Sequence, residues 1–208
     1  MRLVAVCCGV VLAVSLTACG QGKAGAQQYR THVDACKLLK PETVAVLSDD
    51  LPTTNTDWTQ PPAGTSDMST CKRGFGKAGD VVPHDYSKVP NVPGKPAYRY
   101  ITVETQRFAD RGEQSGADRA RYFLKSYATP ADQVTGTGED FEEKYITFTP
   151  EGALSHASLW AVDKNLVVHV EYGGGNARSV PDGLTENDAR DGITRLATDA
   201  AALRPPCD

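Results

Sequence analysis

Two rhythms of apolar and polar residues run along this chain, and the switches between them mark its elements. From Tyr98 to Phe108 the period is two. Tyr98, Tyr100, Thr102, Glu104 and Gln106 share one face, and Ile101, Val103, Thr105 and Arg107 the other, so this is the clearest predicted strand of the first half. Shorter strands are predicted from Cys71 to Phe75 and from Tyr145 to Phe148. Ala157 to Tyr172 reads as a hairpin around the three-residue loop Asp163-Lys164-Asn165, with Asn165 in the left-handed position. In that register Val162 faces Leu166, Trp160 faces Val168 and Ser158 faces Val170 on a mostly apolar side. His169 and Glu171 fall on the wetter side.

The helical rhythm appears three times. Pro41 to Leu47 starts with proline in its first turn and Glu42 at its positive end, and turns Val44 and Leu47 inward, although Lys40 is a poor cap. Ala117 to Tyr127 places Ala120, Phe123, Leu124 and Tyr127 toward a core and leaves Asp118, Arg119, Arg121 and Lys125 wet. Thr185-Glu186-Asn187-Asp188 has the Thr-x-x-acid form of a capping box. The helix it starts carries Ala189, Ile193, Leu196, Ala197, Ala200 and Leu203 along one side and is stopped by Pro205 and Pro206.

Between these elements the chain is polar and rich in turn formers. Asp49 to Ser69 reads as loop. Gly76 to Pro96 holds prolines at 83, 90, 93 and 96, which exclude helix and a central strand. It reads first as a surface insertion, and Tyr86 and Tyr98 are its candidate contacts if it binds a partner. Gly136-Thr137-Gly138-Glu139-Asp140 is a turn, and Gly173-Gly174-Gly175-Asn176 a flexible exit, because neither completes a phosphate-binding fingerprint. Asp49 with Asp50, and Glu139, Asp140, Glu142 and Glu143, read as solvated acidic residues.

The first residues are of another kind. Arg2 is followed by an almost wholly apolar run from Leu3 to Leu16, about fourteen residues and short of the roughly 20 that cross a bilayer as helix. It closes on Leu16-Thr17-Ala18-Cys19, a secretory signal pattern that resembles a bacterial lipobox at every position. That resemblance implies a diacylglyceryl group on the Cys19 thiol and cleavage before it. The expected organisation is a signal at 1–18, a small-residue tether at 19–33 and a single domain at 34–208, held by lipid on the outer face of the cell membrane. Lys and Arg total 22 against 26 Asp and Glu, with no basic cluster, which argues against nucleic acid and against anionic headgroups as partners. Anchoring would fall to the lipid.

Beyond Cys19 the cysteines are Cys36, Cys71 and Cys207, and three thiols allow three choices of single disulfide. No Cys-x-x-Cys pair or histidine at ligand spacing suggests zinc, and no cofactor motif is present. His32, His84, His156 and His169 are scattered, and no nucleophile elbow, His-Glu-x-x-His or Ser-x-x-Lys occurs. The expectation is a protein that is not an enzyme.

The lipobox, Cys36-Lys37-Leu38-Leu39 followed by proline and glutamate, then Cys71, then Gly136-Thr137-Gly138-Glu139, together resemble an actinobacterial lipoprotein family, the domain of unknown function 3558. Lys40 departs from the Thr or Ser common there, and the aromatic expected two places after Cys71 is delayed to Phe75. The resemblance implies an α+β fold with helices packed on an antiparallel sheet, similar to a PsbP-like sandwich, and a Cys36–Cys71 bridge. It brings no activity. Three functions are open: a binding or accessory module that meets an envelope protein, a carrier of a small apolar ligand or lipid, and a hydrolase built around His156 or His169.

Overall fold

The computed structural model of the protein describes residues 28–49, 51, 58–60, 67–76, 98–127, 141–151, 154–175 and 184–207. Cys19, Tyr86 and the Gly136–Asp140 turn lie outside them. The fold is α+β. Among the described residues, six antiparallel strands form one sheet: β1 (Trp58–Gln60), β2 (Met68–Gly76), β3 (Tyr98–Arg107), β4 (Glu143–Glu151), β5 (Leu154–Asp163) and β6 (Leu166–Gly175). Their order is β1-β2-β3-β6-β5-β4, so the chain leaves β3, crosses to the far edge and returns through two hairpins to pair β6 with β3. Three helices accompany them, α1 (Pro41–Ser48), α2 (Gly116–Tyr127) and α3 (Glu186–Leu203), with a 3-10 turn at Ala35–Leu38.

One face of the sheet makes the main core. Cys71, Phe75, Ile101, Val103, Leu159, Ala161, Val168 and Val170 meet Ala189, Ile193, Leu196 and Ala200 of α3 and Leu38 and Leu47 from the N-terminal elements. Each large apolar side chain so buried contributes about 1.5–3 kcal/mol. Gly192 lets α3 lie this close, because a Cβ there would collide with the Tyr172 ring. Thr185 caps α3 as its sequence predicts, accepting from Asp188 N–H at 3.2 Å. Lys40 makes no side-chain cap for α1, and its ammonium instead reaches the buried Asp199 of α3 at 3.2 Å. At the far end of α3, Leu203 is exposed.

The β5–β6 hairpin differs from its predicted register. Asp163 pairs with Leu166, leaving a two-residue turn, and Lys164 rather than Asn165 takes positive φ, at 55°. Two-residue connections match the twist of the strands they join. Asn165 is thereby free for another task. Fully buried, it accepts Tyr29 N–H at 2.8 Å and donates to the carbonyls of Phe108 at 2.8 Å and Tyr29 at 3.1 Å. Its own carbonyl accepts Phe108 N–H at 2.8 Å. A one-residue change of register moves side chains to the other face of a sheet. Trp160 therefore pairs with His169 and not with Val168.

Asn165 also moves the domain boundary. Tyr29 and Val33 are buried at 4% exposure each, and the Tyr29 hydroxyl donates to Asp163 at 2.6 Å, so the folded domain starts before residue 34. Burial first, and then the Asp163 hydrogen bond, raise the Tyr29 phenol well above its ordinary pKa. Two other expectations change. Gly173–Gly175 are the buried end of β6, paired with Tyr98–Tyr100, and not a flexible exit. The Asp49–Ser69 stretch contains β1 and the first residues of β2, one of them the buried Ser69 that holds Ala35 N–H at 3.1 Å.

Cys36 and Cys71 form a disulfide across 35 residues, tying the 3-10 turn to β2, and Cys207 is a free, half-buried thiol. Replacing both Cys36 and Cys71 with serine is expected to lower stability by roughly 3–4 kcal/mol, read as a lower urea midpoint. Asn165→Ala strands Tyr29 N–H and the Phe108 carbonyl, leaves the Tyr29 carbonyl with Arg107 alone at 3.4 Å, and is expected to cost about 2–4 kcal/mol in the same assay.

Candidate functional site

The second face of the sheet is covered over part of its area. α2 lies across one end of it, where Ala120 and Leu124 pack with Phe108, Tyr145, Val162 and Val167. The register sets the rows beside that contact. Met68, Gln106, Val167 and Val162 form one row, and Thr70, Glu104, His169, Trp160 and Tyr145 the next. Two further rows run through Lys72, Thr102, Glu171 and Ser158, and through Gly74, Tyr100, Gly173 and His156.

A ladder of rings dominates the second row. The His169 imidazole stacks on Trp160 with centroids 3.9 Å apart and planes at 12°, and Tyr127 covers the indole at 4.7 Å and 15°. Phe123 closes on Tyr127 at 4.8 Å. These rings, with Met68, Gln106 and Glu104, line an open cleft of about 230 Å³. Tyr127 was expected in the core, and it is instead 56% exposed as the outer plate of this ladder. At the other side of the face the Tyr100 hydroxyl donates to Glu171 at 2.5 Å. Gly173 makes room for that ring, because a Cβ there would stand 2.7 Å from it and from the His156 Cβ.

Glu104 and His169 are joined at 3.3 Å from Oε2 to Nδ1. The hydrogen bond from His169 holds the Glu104 carboxyl below the usual carboxylate range. Burial acts in the opposite sense, and the charges of His169 and Lys72 help to outweigh it. The cleft therefore keeps an ionised carboxylate at neutral pH among aromatic walls. Concave sites of this kind, apolar with few polar groups, are where ligands and partner side chains seat.

Of the residues singled out in the sequence, Cys36 and Cys71 come together in the disulfide. Tyr98 does not serve an exposed loop. It is the first residue of β3, 3% exposed and with its ring 5.9 Å from that of Tyr100, because pairing with both Gly76 and Gly175 draws it into the sheet. Asp50, Glu139 and Asp140 lie outside the described residues, and the other acidic residues are engaged by cations. Asp49 meets Arg99 at 3.3 Å, and Glu142 takes Lys164 at 2.6 Å and Arg121 at 2.7 Å. Burial raises the pKa of Glu142, but these two partners reverse the effect and leave it lowered. No group of three or more metal-ligating side chains occurs among the described residues. Sequence reasoning placed His169 on a wetter face and Glu104 on one face of its strand but could not pair them, and its hairpin register put Trp160 on the wrong side.

No family model matches the chain, and neither a curated protein nor a solved structure resembles it significantly.

Because the Glu104 pKa is lowered in the fold, its contribution to stability is complete above the unfolded value of about 4.3 and disappears as pH falls through the folded value. Glu104→Gln is therefore expected to lose up to about 1 kcal/mol at neutral pH. That difference from wild type should close in urea titrations at progressively more acid pH. A gap that widened on acidification would contradict the assignment.

Proposed function

We propose that the protein is a lipid-anchored binding or accessory module on the outer face of the cell membrane, with the half-covered sheet face as its recognition surface. The observation that carries this reading is the ring-walled cleft, where Phe123, Tyr127 and Trp160 flank the Glu104 carboxylate and His169. Aromatic residues around a small desolvated pocket are the usual energetic centre of protein interfaces. The lipobox ending at Cys19 supplies the anchor. The resemblance to the domain of unknown function 3558 lipoproteins is supported by the Cys36–Cys71 disulfide that it implied.

The carrier reading has less support. Its ligand would sit between the sheet and α3, where Ile193, Leu196, Val168 and Val170 are fully buried against one another. For a hydrolase, His169 would need a nucleophile beside it, and its hydrogen-bond partner is Glu104.

The test has two parts. Cys19→Ala should shift the protein from the membrane to the soluble fraction, and unchanged retention would refute the anchor. Detergent purification of the native protein, with mass spectrometry of companions, should recover a specific protein or small molecule that Tyr127→Ala combined with Glu104→Gln no longer retains. Recovery of the same companion with both side chains replaced would place recognition elsewhere.

A further inference from the structure

The cleft beside Trp160 is small and negatively charged, and both properties narrow what it can hold. Its volume of about 230 Å³ falls below the roughly 300–1,000 Å³ usual for small-molecule sites. It has room for a single side chain. The polar side chains that reach it from this face of the sheet are Glu104, Gln106 and His169, and neither lysine nor arginine lines it. His169 engages one carboxylate oxygen, Oε2, at 3.3 Å, and Oε1 meets no hydrogen-bond donor among the described residues. With a neutral imidazole the pair carries a net negative charge. Lys72 stands in the next row and acts on Glu104 through its charge without a hydrogen bond to it.

The walls favour the same sign of ligand. Tyr127 has one face on the indole and is still 56% exposed, and Met68 on the sheet side of the cleft is 40% exposed. Aromatic faces attract cations through the negative potential of their ring electrons. A carboxylate held among rings repels an anion, and a ligand without a donor leaves Oε1 unpaired as water is expelled. Among cations, a lysine ammonium is compact and strongly hydrated, so it loses more on leaving water. A guanidinium is weakly hydrated and planar, and can lie against a ring while its edge donates to a carboxylate.

Taking the ring-walled cleft as the recognition surface, as the preceding reading holds, we propose that it seats one arginine side chain of the envelope protein that this module binds. The guanidinium donates to Oε1 of Glu104, and the apolar stem lies along Met68, Phe123 and Tyr127. Glu104 supplies the charge that selects the head, and Tyr127 the ring that holds it.

The chain contains only two methionines, Met1 and Met68, which gives the cleft its own reporter. In the full-length protein purified in detergent and isotope-labelled at the methionine methyl, the Met68 resonance is identified by its absence in Met68→Leu. N-acetylargininamide is expected to shift this resonance with a millimolar dissociation constant. The neutral analogue N-acetylcitrullinamide is expected to leave it in place, and N-acetyllysinamide to act more weakly. Glu104→Gln should weaken the arginine response about tenfold, the size of one charge-assisted hydrogen bond. Tyr127→Leu should weaken it too, whereas Tyr127→Phe, which keeps the ring, should not. Circular dichroism checks that each variant is folded. A citrulline response equal to that of arginine, an arginine response indifferent to Glu104→Gln, or a stronger lysine response overturns the proposal and leaves the cleft as the recognition surface. Silence toward all three probes also overturns it. In that case the companion recovered with the native protein decides the wider reading, which stands if Tyr127→Ala with Glu104→Gln releases the companion and falls if it does not.

Discussion

One long helix can cover only one face of a six-stranded sheet, and the architecture follows from that constraint. α3 takes the apolar face, where β-branched and aliphatic side chains from β3, β5 and β6 are buried together. The smaller α2 shields part of the opposite face and ends on a ladder of rings over Trp160. Beyond this ladder the surface is polar and pairs its charges internally, Glu104 with His169 and the Tyr100 hydroxyl with Glu171. A sheet with one dry side and one half-covered side has a natural place for recognition. The same division explains why the dry side is poorly suited to holding a ligand.

The β5–β6 turn couples this arrangement to the N-terminal segment. Asn165 fills its hydrogen-bonding capacity with main-chain groups of Tyr29 and Phe108. A buried amide is tolerated only when so satisfied. The turn thus fastens the incoming chain, the end of β3 and the start of α2 at one corner of the molecule. Arg204 from the C-terminus reaches Asp163 at the same corner, at 2.5 Å.

Much of the fold was legible along the chain. The strand at Tyr98–Arg107, all three helices and the cap at Thr185 depend on neighbours a few residues away, and their patterns carry that information. The division of β3 into two faces was also readable, and the structure buries Ile101, Val103 and Thr105 of one of them. The candidate site was legible only in fragments. Glu104 and His169 are 65 residues apart, and nothing local shows that β3 and β6 are neighbours. Tyr98 was legible as the start of a strand but not as a buried residue, because its partners, Gly76 and Gly175, are remote glycines without a strand signature.

By itself, the sequence determined the lipobox pattern at Leu16-Thr17-Ala18-Cys19, the absence of a basic patch, and the helices and strands whose periods are local. Tertiary structure decided the pairing of Cys36 with Cys71, the register of the last hairpin, and which rings share a face. The physical reason lies in Asn165. Either a two- or a three-residue loop satisfies the local backbone, and the choice between them depends on hydrogen bonds that the turn makes with Tyr29 and Phe108, groups far away along the chain.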